Sequence, residues 1–83
     1  MHFHAVLFSK GGRLYVTVIN PDGSVTHGTP DFATYAEATA YAQGLDVMAR
    51  VMSNGHARCL LEELADEVDA REFCASRAPT VAS

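Results

Sequence analysis

The sequence has no long apolar run and no cluster of basic residues, and each absence narrows the range of functions. A membrane-spanning helix needs at least about 18 apolar residues in succession, and the 83 residues contain no such stretch. The six lysines and arginines are scattered and the formal net charge is -4, so we expect no direct binding to nucleic acid. No basic region precedes the first apolar run, which predicts a cytoplasmic protein without a signal peptide.

Cysteine is scarce as well, with Cys59 and Cys74 as its two occurrences. Both fall in a segment with a helical pattern, where about 15 residues of helix would hold them roughly 22 Å apart. That distance is too great for a disulfide, so we expect free thiols in a reducing compartment.

What is present is the composition of a folding domain, with 48% hydrophobic and 19% charged residues. A chain of this length buries only about 60% of the surface that its unfolded form exposes. We therefore expect one small domain over residues 1–77 and a loose tail at 78–83. A modest core also leaves room for a homodimer.

The first half predicts a three-stranded antiparallel meander. Residues 3–9 and 14–20 are rich in β-branched and aromatic side chains, and Lys10-Gly11-Gly12-Arg13 lies between them as a turn. The segment Asn20-Pro21-Asp22-Gly23 favours a type I turn. Residues 24–29 would then return as the third strand.

The second half predicts two helices. Thr34 and Glu37 form a capping box that starts the first helix, and Asn54-Gly55 favours its end after residue 53. A second helix is predicted over residues 56–76. The expected fold class is α+β, with both helices packed on one face of the meander.

The first helix has more apolar surface than one contact can cover. One stripe should lie on the sheet and contains Ala38, Tyr41, Ala42, Leu45, Met48, Ala49 and Met52. A second strip faces nearly the opposite way and contains Ala36, Ala40, Val47 and Val51, with Gly44 beside it. The helix must therefore be covered on two sides, and the second helix is the expected cover.

Acidic residues are concentrated on the predicted second helix. The candidates for partner binding among them are Glu62, Glu63, Asp66, Glu67 and Asp69. They have two interpretations: a solvated face that keeps the protein soluble, or a surface that docks on a basic groove of a partner.

The outer face of the predicted sheet is a second candidate surface. If Phe3, Ala5 and Leu7 face the helices, alternation places Val6, Phe8, Tyr15 and Ile19 on the other face. Those side chains would merge into an exposed apolar patch. We therefore predict Phe8 and Tyr15 as contacts for a partner or for a second copy of the chain.

No combination of residues indicates catalysis or a cofactor. The acid pairs would be exposed, with nothing to separate their pKa values, and neither a nucleophile elbow nor a phosphate-binding loop occurs. His56 and Cys59 have a helical spacing that suits a metal, but no further ligands complete a tetrahedron. We expect no enzyme and no metal, with a small metal-binding protein as an alternative.

The segments at residues 15–23, 25–29 and 34–42 resemble two groups of small bacterial proteins. They contain a strand, an Asp-Gly turn, a strand ending in Gly28-Thr29 and a capped Ala-rich helix. This arrangement is similar to type I anti-CRISPR proteins of phages and mobile elements. That resemblance implies an inhibitor that blocks a subunit of a host nucleic-acid-targeting complex. Val25 to Thr29 followed by Thr34 to Ala38 also resembles HicB-like antitoxins, which implies a homodimeric regulatory module.

Overall fold

The computed structural model describes residues 2–26 and 28–77, which form a four-stranded mixed sheet between two helices. The elements are β1 His2–Lys10, β2 Arg13–Ile19, β3 Asp31–Phe32, α1 Tyr35–Met52, β4 Arg58–Asp66 and α2 Glu67–Ser76. The strand order is β3-β2-β1-β4, with β4 parallel to β1 and the other pairs antiparallel. The predicted α+β class is confirmed. The predicted tail at 78–83 lies outside the described residues.

The predicted hairpin and the turn after it are confirmed. Gly11 and Gly12 both have positive φ, 59° and 79°, which is the backbone of a two-residue hairpin turn whose twist matches that of the strands. After β2, the Gly23 amide donates to the Asn20 carbonyl at 2.9 Å, and Gly23 has φ 90°. Both turns depend on glycine because other residues avoid this conformation.

The predicted third strand at 24–29 is wrong. Val25 makes only an isolated bridge to Ile19, and the pairing with β2 resumes at Asp31–Phe32. Between these points Gly28 adopts φ 81° and Pro30 has no amide to donate, which interrupts the ladder. The Pro30 carbonyl accepts from the Val16 amide at 3.2 Å, where the pairing with β2 begins again. His27 lies outside the described residues.

The limits of α1 agree with the sequence signals. The Glu37 amide donates to the Thr34 hydroxyl oxygen at 3.2 Å, and the hydroxyl donates to the Glu37 carboxylate at 2.9 Å. At the other end Asn54 and Gly55 have positive φ, and the Gly55 amide donates to the Arg50 carbonyl at 2.8 Å. Within the two described ranges, no helix has the length and apolar character that spanning a membrane requires.

The single helix predicted over residues 56–76 is wrong. Its first part is the strand β4, and only α2 is helical. The reason lies in β1, which is apolar on both faces. The hairpin partner β2 pairs with one edge of β1 and leaves its other edge open. When β4 pairs along the other edge, the backbone groups of β1 are satisfied on both sides.

The two helices lie on opposite faces of the sheet, which corrects the expectation that both pack on one face. Ala38 and Ala42 of α1 pack with Ala5, Leu7, Val16 and Cys59 on one face. Ala70 of α2 packs with Val6, Phe8 and Ile19 on the other. The fold therefore has two small cores that share β1.

This arrangement predicts that Ile19→Ala is strongly destabilising. Ile19 is 1% exposed beneath α2, and removing a buried isoleucine side chain leaves a cavity that costs about 2–5 kcal/mol. Urea denaturation would measure the loss in the free energy of unfolding. The control is Val47→Ala on the exposed face of α1, which should stay within about 0.5 kcal/mol of wild type. A small loss for Ile19→Ala would contradict the placement of α2.

Candidate protein-binding surface

Helix α1 is held along β4 at both of its ends. In the C-terminal half of the helix, Asp46 accepts hydrogen bonds from the Arg58 guanidinium at 2.9 and 3.0 Å and from the Cys59 amide at 2.8 Å. Near its start, the Tyr35 hydroxyl donates to the Glu63 carboxylate. These contacts hold α1 closest to β4, at the edge of the sheet.

Asp46 is the electrostatic centre of this attachment. The hydrogen bond from Arg58, and then the amide of Cys59, lower the pKa of Asp46 from its usual 3.8 to about 2. Arg50 adds a weaker attraction at 3.5 Å from the same carboxylate. At the other end, the hydrogen bond to Glu63 raises the pKa of Tyr35.

An apolar groove opens between the C-terminal half of α1 and the end of the sheet where β2, β1 and the start of β4 meet. The groove has a volume of about 490 Å³, which is within the usual size range of ligand-binding clefts. Its apolar lining includes Phe3, Val18, Tyr41, Leu45, Met48 and Met52. A few polar side chains, among them Asn20, Thr26 and Ser53, lie at its border.

The last turns of α1 carry large apolar side chains into solvent, and two of them, Met48 and Met52, line this groove. The exposed fractions are 51% for Val47, 57% for Met48, 71% for Val51 and 80% for Met52. Single exposed apolar residues are ordinary, but adjacent ones rimmed by polar groups mark interaction sites. We call these four residues together with the groove the apolar α1 surface.

The second apolar strip of α1 continues this surface toward the start of the helix. Ala36, Ala40 and Gly44 are exposed, and a methyl group on Gly44 would meet no other atom within 4 Å. The expected cover was the second helix. Since α2 lies on the opposite face of the sheet, no segment within residues 2–26 and 28–77 covers the strip.

The acidic residues predicted as a partner-binding helix face do not share a face. Glu62 and Glu63 lie on β4, where alternation turns them to opposite sides of the sheet. His4 contacts Glu62 at 3.2 Å on the α2 side, whereas Glu63 meets Tyr35 on the α1 side. The prediction of a continuous acidic helix face is therefore wrong.

The remaining acids lie at the start of α2 and have local structural contacts. Asp66 is the N-cap and accepts from the Asp69 amide at 3.0 Å. Glu67 contacts Lys10 at 2.7 Å, and this hydrogen bond lowers its pKa. A role of the five acids in partner binding stays a prediction, without the shared face that motivated it.

The predicted outer apolar patch is buried for the most part. Val6, Phe8 and Ile19 lie beneath α2, and Phe8 is only 8% exposed. Tyr15 is half-buried and stacks on Phe8 with a centroid distance of 5.6 Å. The expectation of an exposed patch is wrong because it assumed that α2 packs elsewhere. The partner-binding role predicted for Phe8 and Tyr15 remains untested.

The candidate metal pair loses the geometry on which it was based. His56 precedes β4 and Cys59 lies within it, so their spacing is not that of a helix. Among the described residues, no group of three or more histidine, cysteine or acidic side chains is placed to hold a metal ion. Cys59 and Cys74 are free thiols, and burial raises the pKa of both.

The sequence pattern contained the signal for the apolar α1 surface, but we assigned it to internal packing. The strip of Ala36, Ala40, Val47 and Val51 was recognised as needing cover. Met48 and Met52 were placed on the sheet stripe, and the structure shows them largely exposed at the mouth of the groove.

The role of Asp46 predicts a specific loss of stability in acid. Its folded-state pKa is below its usual value, so the ionised carboxylate stabilises the fold above pH 3.8. This contribution is lost as the pH falls from 3.8 to about 2. In Asp46→Asn, the urea midpoint should fall less steeply across this window than in wild type.

Glu72→Gln, at an exposed position on α2, is the control and should keep the wild-type slope. Equal slopes for Asp46→Asn and wild type would contradict the attachment.

Comparison with known proteins does not assign the chain to a family. No protein-family model, curated protein or solved structure matches it. The resemblances to anti-CRISPR proteins and HicB-like antitoxins are therefore neither supported nor contradicted.

Proposed function

We propose that the protein is a non-enzymatic protein-binding module and that the apolar α1 surface is its contact site. The observation that carries this proposal is the exposure of four large apolar side chains at the end of α1. Met48 and Met52 line an open groove, and Val47 and Val51 lie on the adjoining outer side of the helix. Each exposed apolar side chain that a partner buries contributes about 25 cal/mol per Å² of area removed from water.

The shape of the surface favours a protein partner. The groove can receive one or two apolar side chains, and the helix beside it presents a ridge that a partner can pack against. Met48 and Met52 border both features. Methionine is flexible and polarizable, so it adapts to the shape of what it contacts.

Charge around the surface is arranged as in many protein interfaces. The exposed turns of α1 that carry Val47, Met48, Val51 and Met52 have two charged neighbours on the helix, Asp46 and Arg50, which pair with each other. None of the described acids of β4 and α2 lines the groove. An apolar centre with charged groups outside it is the usual arrangement of a contact surface.

A more specific form of the proposal is an inhibitor of mobile-element type, acting in the cytoplasm of a bacterial host. It would occupy a subunit of a nucleic-acid-targeting complex and so prevent recognition of the target. This form is motivated by the resemblance of residues 15–42 to type I anti-CRISPR proteins and by the net charge of -4. An acidic protein is suited to a protein subunit that itself carries a basic, nucleic-acid-binding surface.

The test is affinity capture from a bacterial lysate with a double variant. Val51→Glu with Met52→Glu places charge on the most exposed part of the surface, where the change leaves the core untouched. Proteins captured by wild type should fall at least about tenfold with this variant, as measured by quantitative mass spectrometry, because buried unpaired charge opposes binding.

The matched control is Val68→Glu, which alters an equally apolar side chain, 63% exposed, on α2. It should retain capture at the wild-type level. If the Val51→Glu, Met52→Glu variant captures the same proteins as wild type, or if wild type captures nothing above a tag-only control, the apolar α1 surface is not a binding site. Recovery of one nucleoprotein complex would support the inhibitor form.

A further inference from the structure

The outer edge of β4 is open along most of a nine-residue strand. β4 is the last strand in the order β3-β2-β1-β4, and it pairs with β1 along one edge. Within the described ranges no strand lies along its other edge. At the opposite margin of the sheet, β3 has only two residues, which is itself a common protection for an edge.

The backbone groups at this edge can be located from one hydrogen bond. The Cys59 amide donates to the Asp46 carboxylate at 2.8 Å, so it points away from β1. Backbone groups alternate in direction along a strand, and those of Leu61 and Glu63 therefore point the same way. Asp46 covers the first position of this edge and leaves the following ones available for pairing.

Some of the usual protections of an edge strand are missing from β4, although four of its nine residues are charged. Its sequence contains no proline and no lysine, and its register irregularity comes late, opposite Leu7 and Ser9. Leu60 and Leu61, one on each face of the sheet, are 36% and 38% exposed. An open edge strand of this length, with exposed leucines on both faces, is a template for another strand.

Charge is distributed unevenly along β4. At its start, Arg58 and Arg50 both pair with Asp46, so that two positive charges meet one negative charge and one positive charge is in excess. Toward its end the strand carries Glu62, Glu63 and Asp66, and the partner of Glu63 is the neutral hydroxyl of Tyr35. The strand is therefore positive at its beginning and negative at its end.

We propose that this edge pairs with the same edge of a second copy of the chain, antiparallel and about a two-fold axis. Antiparallel pairing brings the positive start of one β4 beside the negative end of the other, whereas a parallel arrangement would place like charges together. The contact is self-complementary, as a two-fold interface requires. It joins the two sheets into one continuous sheet through main-chain hydrogen bonds and contacts between leucine side chains.

The dimer is independent of the proposed binding function. The exposed side chains of the apolar α1 surface lie on the flank and outer side of α1, away from the edge of β4. Both surfaces can therefore be occupied together. A failure of either experiment leaves the other proposal standing.

The experiment is sedimentation equilibrium on the full chain and on a double variant, Leu60→Lys with Leu61→Lys. Wild type should sediment at twice the chain mass of 8.9 kDa. The variant should raise the dimer dissociation constant at least about tenfold, since lysines on an edge strand oppose pairing. Far-UV circular dichroism and thermal melting establish that the variant is folded. Val68→Lys on α2 is the control and should leave the dissociation constant unchanged.

Two further measurements make the test specific to this edge. Arg58→Glu should also weaken the dimer, because it makes both ends of β4 negative, whereas Arg71→Glu on α2 should not. In hydrogen exchange, the amides of Leu61 and Glu63 should gain protection as the protein concentration rises through the dissociation constant. A wild-type protein that remains monomeric at about 1 mM, or a dimer that survives the Leu60→Lys, Leu61→Lys change, would overturn the proposal.

Discussion

Strand β1 is buried on both faces and paired along both edges, and the positions of the other elements follow from this. Ala5 and Leu7 point into the core beneath α1, while Val6 and Phe8 point into the core beneath α2. A strand that is apolar on two sides requires a layer on each side. The hairpin provides β2 on one edge, and β4 must provide the other because the unpaired backbone of a buried strand is costly.

This requirement explains why α1 is left partly uncovered. When residues 58–66 join the sheet and α2 packs over Val6 and Ile19, the part of the chain that the structure describes has no further helix to cover the outer side of α1. Asp46 and Tyr35 then draw α1 toward β4. The groove beside β2 and the exposed ridge of Val51 and Met52 are both consequences of how the central strand is satisfied.

The acidic residues have several separate structural roles and do not form a single docking face. Asp66 and Glu67 stabilise the start of α2, where carboxylates are favoured by the helix dipole and by amides that lack partners. Glu62 and Glu63 face opposite sides of the sheet. In the proposed dimer, the charges of β4 orient the two strands, and the apolar α1 surface remains available for a partner of another kind.

The sequence by itself determined the features that depend on neighbours a few residues apart. The glycine turn at Gly11-Gly12, the cap formed by Thr34 and Glu37, and the end of α1 at Asn54-Gly55 were all predictable because each is a local hydrogen-bonding or φ requirement. The alternation of β1 was predictable for the same reason. The need for two-sided cover on α1 was also visible in the spacing of its apolar residues.

Tertiary structure decided whether residues 58–66 form a helix or a strand. Leu60, Leu61 and Leu64 fit a helical stripe, and a short apolar run of this kind does not distinguish the two states. The open edge of β1, some 55 residues earlier in the chain, selected the strand. That long-range pairing also decided which face α2 covers, and so which surface of α1 and which edge of β4 remain exposed, because no local signal records where a partner strand will be found.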